Sequence, residues 1–425
     1  MSGDASVGAG PREVWLFTSE VEGMRAGSFR QERWCRVFLE HGAHVTVFNL
    51  RGAVGRTEIR FADLESFDAW RAAQRGAAPA VAGVRHGPAA RVLRALKHAT
   101  MVDLYLPNVL GLVRSAVRRL RAARPGPVLL MASSPPFSLA VAAAAVRALA
   151  PDRVVFAVDM RDAWALHDAL GGFAPLRRAI ERRVLRAAHD VTTVSHGLRR
   201  EFQAEYGIEA GTLYNVATHY FVVPPSEPVD WSAVHPALRS DRRTLLYTGS
   251  TPDGFYDVET FVGGVRTLRE RDPALADRVQ CVFVGACEPI AAEARRQGVT
   301  EPALVFVDHL PQPRVQALQQ AADALLFLAF RGIGNRGVVS TKLFEYFALG
   351  RPVVAVSVDP GSDVDHLLRR YAGHAEYLRS PEDVAAALAG LAADGGVSLP
   401  RVRNPDTLRS LLDGYRDRAA ALLAS

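Results

Sequence analysis

The sequence predicts an α/β protein built from two doubly wound parallel-sheet domains. Three observations carry this. At 425 residues the chain exceeds what one hydrophobic core usually holds. Short apolar runs alternate with helix-like segments, the pattern of parallel strands with helices on both faces. The alternation stops at Val222-Val-Pro-Pro-Ser-Glu-Pro228, a linker by composition, and then restarts. A hydrophobic fraction of 49% and a charged fraction of 23% suit a soluble globular chain.

In the first half, Val14–Thr18 is a buried-strand candidate, followed by a Gly-containing loop and a helix over Phe29–His41. His44–Phe48 is the next strand, and residues 51–84, rich in Gly and Ala, read as irregular. Val128–Ala132, Val154–Val158 and Val191–Val194 continue the strand series, with Ser195 capping a helix through Tyr206. In the second half Thr244–Thr248, Val279–Val284, Leu304–Val307, Ala324–Leu328 and Pro352–Ser357 read as strands. Helical segments lie near 257–271, 313–321 and 340–349. Ser380-Pro381 and Asn404-Pro405 each place a polar cap before a first-turn proline, a helix start.

Composition excludes several classes. Residues 1–10 lack a basic region and an apolar stretch, so no secretory signal is read there. The apolar run 128–150 is broken by Ser133-Ser-Pro-Pro136 and Arg147, which makes it a strand and a helix, not a membrane span. Cys35, Cys281 and Cys287 have no metal-ligand spacing and read as reduced thiols of a cytoplasmic protein. Residues 1–225 carry an excess of about nine positive charges and the remainder is slightly negative. Between 85 and 124, Arg85, Arg91, Arg94, Lys97, Arg114, Arg118, Arg119, Arg121 and Arg124 face one acid, Asp103. They are mixed with Leu96, Leu104, Leu106, Leu110 and Leu112. That mixture suits two amphipathic helices, with solvated arginines or lying on an anionic membrane surface. It lacks the aromatic interleaving and motif expected of a nucleic-acid binder.

The chemistry concentrates in residues 329–356. Lysine is nearly absent from this chain: only Lys97 and Lys342 occur among 51 basic residues. Lysine is a compact point charge and arginine a planar fork, so a retained lysine points to a position that needs an ammonium. Lys342 falls near the start of a helix, where free N–H groups and the helix dipole favour an anion. Gly332, Gly334 and Gly337 let the preceding loop approach a ligand, and Arg331 and Arg336 add positive charge. Glu345, one turn on, can accept two hydroxyl hydrogen bonds, as from a ribose. The plainer alternative is a mobile glycine loop, a capped helix and a Lys–Glu pair at i,i+3.

Segment Ser340–Val356, with its Lys-Leu-Phe-Glu-Tyr run and Gly-Arg-Pro-Val, resembles the donor motif of retaining GT-B glycosyltransferases of sequence family four. Ser133-Ser-Pro-Pro136, Asp159-Met-Arg-Asp-Ala-Trp164, Val194-Ser-His-Gly197, Leu213-Tyr-Asn215 and Leu246-Tyr-Thr-Gly249 are similar to further pieces of one branch, in order. The resemblance spans essentially the whole chain. It implies a GT-B fold: an acceptor-binding domain over 1–225, a nucleotide-sugar-binding domain over 226–404, and a helix over 405–425 packing back on the first domain. It implies transfer of a sugar from a nucleotide-diphosphate sugar, with UDP the expected carrier, to a glycan, lipid-linked or small-molecule acceptor. Configuration would be retained, with no metal or other cofactor.

The resemblance, together with the charge and position of the residues, distributes roles. Gly27, Ser28, Gly249, Arg331, Arg336, Ser340, Thr341, Lys342 and Glu345 are the expected donor-binding residues. Gly27 and Ser28 match a loop that closes over the diphosphate, and Glu345 the glutamate that holds the ribose. Arg161 and Asp162 are assigned to the reacting centre or to acceptor orientation, with a structural ion pair as the alternative. Ser133, Ser134 and His196 are acceptor-side candidates, though a lone histidine after a strand is more often structural. Two departures stand out. The family's first glutamate is replaced by Gly337, and its basic clamp by Gly249-Ser-Thr-Pro-Asp-Gly254. Lys342, with Arg336 or Arg331, is then the expected counter-charge for the diphosphate. Two rivals stay open: a GT-B nucleotide-sugar epimerase, which would share the donor site but need no acceptor surface, and, because of these departures, a non-catalytic partner subunit. The expected location is the cytoplasm, with peripheral attachment to a membrane through 85–124.

Overall fold

The computed structural model describes residues 13–19, 26–51, 55–74, 106–123, 125–165, 174–216, 228–331, 337–373, 377–393, 399, 401–402 and 404–425. They form two compact units, one reaching to Asn215 and including Leu411–Ser425, the other running from Val216 to Ser410. Most of the Val222–Pro228 linker and the basic positions Arg85 to Lys97 and Arg124 lie outside the described residues.

Unit one is built on seven strands: β1 (Glu13–Ser19), β2 (His44–Arg51), β3 (Gly55–Phe61), β4 (Val128–Ser134), β5 (Val154–Met160), β6 (Asp190–Thr193) and β7 (Gly211–Thr212). Their order is β3-β2-β1-β4-β5-β6-β7, and every pair is parallel except β2–β3. Val14 is flanked by Val45 on one side and Leu129 on the other. Burial on both faces explains why β4 is a continuous apolar run rather than an alternating one. One face of the sheet packs on Leu112, Leu139, Ala143, Val184 and Phe202. The other packs on Trp34, Phe38 and Phe67, together with Tyr415 and Leu422 from the helix Ser410–Ala424.

Within 51–84, of which 75–84 lie outside the described residues, residues 55–74 correct an expectation. They hold β3 and the helix Leu64–Gln74. The inward alternation in β3 is only two residues long, Ile59 and Phe61, with Glu58 and Arg60 outside, too short to register as a period. Phe61 meets Phe67 edge-on at 5.1 Å, and Asp63 caps the helix through the Ser66 N–H at 2.8 Å. Gly27 and Ser28 also differ from expectation: they lie in the first turn of the helix Ala26–Glu40, not in the loop before it.

Unit two holds β8 (Arg243–Thr248), β9 (Val279–Val284), β10 (Leu304–Val307), β11 (Ala324–Leu328) and β12 (Val353–Val356), all parallel, in the order β10-β9-β8-β11-β12. The helices Val258–Arg271 and Pro381–Ala392 pack on this sheet and on each other. The second opens with a full capping box between Ser380 and Asp383. The two helices approach closely at Gly264, where an added Cβ would lie 2.4 Å from the Val384 side chain and 3.0 Å from the Pro381 carbonyl. Gly264→Ala is therefore expected to lower stability by about 1–3 kcal/mol through overpacking. An unchanged urea midpoint would refute that contact.

Candidate functional site

In an open parallel sheet, ligands bind beyond the carboxyl ends of the strands where the strand order reverses. In unit two the reversal lies between β8 and β11. Gly249 follows β8, and Ala329–Arg331 follow β11. The two segments are pinned together. Tyr256 and Phe330 form an isolated antiparallel bridge with rings stacked at 5.0 Å, and the Arg331 N–H donates to the Phe255 carbonyl at 2.9 Å. Beyond Gly337 the chain enters the helix Thr341–Leu349, capped by the Ser340 hydroxyl, which accepts from the Lys342 N–H at 3.4 Å.

Lys342 is the centre of this arrangement. Its ammonium donates to the Tyr247 hydroxyl at 2.8 Å and lies 4.5 Å from the Tyr247 ring centroid. The Tyr247 hydroxyl in turn donates to the Ser250 carbonyl at 2.9 Å. The strand end, the loop after it and the helix start are thus tied through one cation. Burial lowers the Lys342 pKa to about 8, with Glu345 and Cys287 opposing the shift. Burial also pushes the neighbouring Cys287 thiol up to about 11. That thiol donates to the Gly249 carbonyl at 3.3 Å.

Gly249 has φ +117, and a Cβ there would sit 2.6 Å from Lys342 Cε and 2.8 Å from Nζ. The missing side chain is the seat of the ammonium. The obstructing atoms end a flexible chain, so Gly249→Ala should fold, at the cost of its strained backbone. It should displace Lys342 from Tyr247 and weaken UDP binding by about tenfold or more. Calorimetry showing wild-type affinity would count against the seat.

The other expected donor residues are placed as follows. Ser340 and Thr341 stand at the helix start, and Glu345 is one turn on, half-buried. Arg331 is drawn toward Asp257, at 3.3 Å. Arg336 lies outside the described residues. Gly337, at the position of the family's first glutamate, is buried. Asp257 is a junction: it caps the helix Val258–Arg271 and accepts from the hydroxyls of Thr260 and Ser357, both at 2.8 Å. Ser357 is held at φ 58. Tyr247 and Asp257 were not singled out from sequence. Tyr247 sits in a buried strand and reads as core, whereas the cap pattern Asp257-x-x-Thr260 was a usable signal.

In unit one the order reverses between β1 and β4. Ser133 and Ser134 end β4 and are buried, and the Ser133 hydroxyl donates to Asp159 at 3.1 Å. Asp159 also accepts from Thr192 at 2.7 Å and from both Arg30 Nε, at 2.7 Å, and Nη2, at 2.5 Å. Burial would raise the Asp159 pKa, but the Arg30 charge and these hydrogen bonds outweigh it and hold the carboxyl below its usual value. Two residues on, Arg161 fastens the loop: its N–H donates to the Ser134 carbonyl at 2.8 Å and its guanidinium to the Pro135 carbonyl. Asp162 is exposed. Glu181, overlooked in the sequence because it reads as a helix surface acid, accepts from the Trp164 and Ala165 N–H groups at 2.8 and 3.1 Å and from the Tyr206 hydroxyl at 2.6 Å. Burial raises its pKa against these bonds. His196 is exposed at the start of the helix His196–Tyr206, 3.2 Å from the Thr212 hydroxyl and edge-on to Tyr214. It lines a depression with Arg199, Arg200, Gln203 and Glu209.

Of the basic segment, the helix Leu106–Ala122 is described. It buries Val109, Leu112, Ala116 and Leu120 and turns Leu106, Leu110, Arg114, Arg118 and Arg121 outward. Arg119 pairs with Glu58 and, at 3.6 Å, with Glu13. Among the described residues no helix is long and apolar enough to cross a membrane, and no cluster of three or more His, Cys, Asp or Glu could hold a metal ion.

Residues 26–214 match the family model described as "Glycosyl transferase 4-like domain", and residues 242–394 match "Glycosyl transferases group 1". No curated protein sequence matches. Among solved structures, the chain is similar to an α,α-trehalose-phosphate synthase (UDP-forming) from Burkholderia vietnamiensis, with 14% identity, a TM-score of 0.57, and 97% of this chain and 99% of that one covered. It is also similar to the Burkholderia xenovorans synthase in complex with glucose-6-phosphate, at 11%, 0.58, 97% and 100%. The E. coli trehalose-6-phosphate protein bound with UDP-2-fluoro glucose follows at 10%, 0.57, 96% and 96%. At such identities the likeness is one of fold.

Proposed function

We propose, for a chain that is a glycosyltransferase of the GT-B fold, that it moves a sugar from a nucleotide-diphosphate sugar to a hydroxyl-bearing acceptor with retention and without a metal. The observation that carries this reading is Lys342: an ammonium seated over a side-chain-free glycine, at a helix start and a topological switch point. The chemistry is the breaking of the bond between the anomeric carbon and the diphosphate oxygen. The acceptor oxygen bonds to the same face of the sugar, and its proton passes to the departing diphosphate. Charge builds on that leaving group, and a fixed cation at the positive end of a helix dipole is suited to stabilise it. Lys342, Ser340, Thr341 and Gly249 would line the diphosphate, and Glu345 would accept from the ribose hydroxyls. In unit one Gly27, Ser28, Arg161, Asp162 and His196 would serve the closing segment, the reacting centre and the acceptor. Uridine is the base we favour, as in the ligand of the E. coli protein.

A ligand-detected screen of nucleotide sugars against the purified protein, followed by turnover with and without acceptor, tests the reading. Binding of a nucleoside diphosphate sugar with acceptor-dependent release is expected. Turnover of the donor alone would favour an epimerase, and binding without turnover a partner subunit. Attachment to an anionic membrane through Leu106, Leu110, Arg114, Arg118 and Arg121 belongs to the same proposal. Co-sedimentation with vesicles should then rise with their anionic lipid content.

A further inference from the structure

We infer that Tyr415 is a positioning residue for the two unit-one segments assigned to chemistry, the first turn of the helix Ala26–Glu40 and the Arg161–Asp162 segment. The inference rests on the function proposed above for those segments. It starts from the side chain between them, Arg30, which is fully buried and spends its guanidinium on three parts of the chain. Nε and Nη2 clasp Asp159, while Nη1 donates to the Leu213 carbonyl at 2.5 Å and to the Tyr415 hydroxyl. Arg30 is two residues from Ser28, and Asp159 two from Arg161. One buried pair therefore fixes the spacing of both segments, while Ser133 and Thr192 fix the carboxylate from the flanking strands.

Tyr415 completes this junction from 385 residues away in sequence. Its hydroxyl accepts from Arg30 and donates to the Tyr214 carbonyl at 2.9 Å. Its ring lies 4.9 Å from the Arg33 guanidinium and 5.2 Å from that of Arg30, and meets Trp34 edge-on at 5.1 Å. Without the hydroxyl, Arg30 Nη1 keeps the Leu213 carbonyl and the Tyr214 carbonyl loses the Tyr415 bond. Tyr214 packs against His196, so the same hydroxyl also orders the acceptor-side candidate. A buried ion pair gives little net stability over an apolar replacement. What it supplies is a fixed geometry, and small displacements of reacting groups are costly to rate. Tyr415 reaches those segments through Arg30, Asp159 and Tyr214.

Tyr415→Phe keeps the ring and its packing and removes only the hydroxyl. Hydrogen–deuterium exchange should quicken about fivefold or more in peptides covering 26–34 and 157–165, the scale of the lost bond to Arg30, the bond to the Tyr214 carbonyl being lost with it. Exchange over 341–349 should not change. Turnover of the nucleotide sugar returned by the screen should fall about tenfold or more, measured well below the melting temperature, and by more than UDP affinity, which rests chiefly on the Lys342 helix and loses only what the Gly27–Ser28 turn contributes. Arg30→Lys, which keeps the charge without the fork, should move the same readouts further. Unchanged exchange in both peptides overturns the inference. So does faster exchange with unchanged turnover, which would leave the junction a purely structural one. Absence of UDP binding or turnover in the wild type would instead fault the proposed function, and the exchange result would separate the two failures.

Discussion

Lys342→Ala should weaken UDP binding by about thirty- to a hundredfold, the loss of a charge-assisted contact of about 2–3 kcal/mol. Lys342→Arg should not restore it. The ammonium occupies a seat defined by the Tyr247 hydroxyl at 2.8 Å, the ring beneath it and the missing Cβ of Gly249. A planar guanidinium is wider than that seat and cannot present its charge at the same point. The pH dependence follows from the lowered pKa of about 8. In the unliganded protein the ammonium loses its proton as pH rises through about 8, whereas a bound diphosphate holds the proton on. Affinity should be flat below that pH and fall by up to about tenfold per unit above it. The stability sign is the reverse. The folded pKa lies below the unfolded one, so the charged group is unfavourable to folding at neutral pH, and this is relieved as pH rises from about 8 toward 10.5. Calorimetry of UDP binding between pH 6.5 and 9.5 checks the first statement, and urea midpoints from pH 7 to 10 check the second. Wild-type affinity in Lys342→Arg, or a flat profile to pH 9.5, would remove Lys342 from the donor site.

The second large effect is on stability. Asp159→Asn leaves the Arg30 guanidinium buried without its counter-ion and should cost about 3–5 kcal/mol. Replacing both, as Arg30→Met with Asp159→Leu, should recover much of that, because the desolvation of both charges disappears together. The carboxyl is held below its ordinary value, so its contribution is present above about pH 3.8 and is lost as pH falls through the lower folded value. Wild type should therefore lose stability on acidification more steeply than the Asn variant. Denaturant titrations at pH 7 and at pH 3 measure both effects. A cost below about 1 kcal/mol at pH 7 would mean the pair is not the keystone of unit one.

The parallel strands were legible because burial on both faces makes them largely apolar runs, uninterrupted in β11 and over Val128–Ala132 of β4. The caps at Ser195 and Ser380 were legible because they are local chemistry. β3 was not, since a two-residue inward alternation on an edge strand carries almost no period. In the site, Lys342 stood out against an arginine-rich background, and its helix position followed from the apolar run after Ser340. Tyr247 was silent, because a tyrosine in a buried strand reads as core whether or not its hydroxyl holds a cation. Arg30 was silent for a different reason. Its partners lie 129, 183 and 385 residues away, and no local pattern encodes such a meeting.

The return of Leu411–Ser425 to unit one sets an order of assembly during synthesis. Unit two is continuous in the chain and can close as soon as it leaves the ribosome. Unit one is translated first, yet the hydroxyl that Arg30 donates to arrives only after the whole of unit two has been made. The half that begins first is finished last, and until then a charged pair in its interior waits for one of its partners.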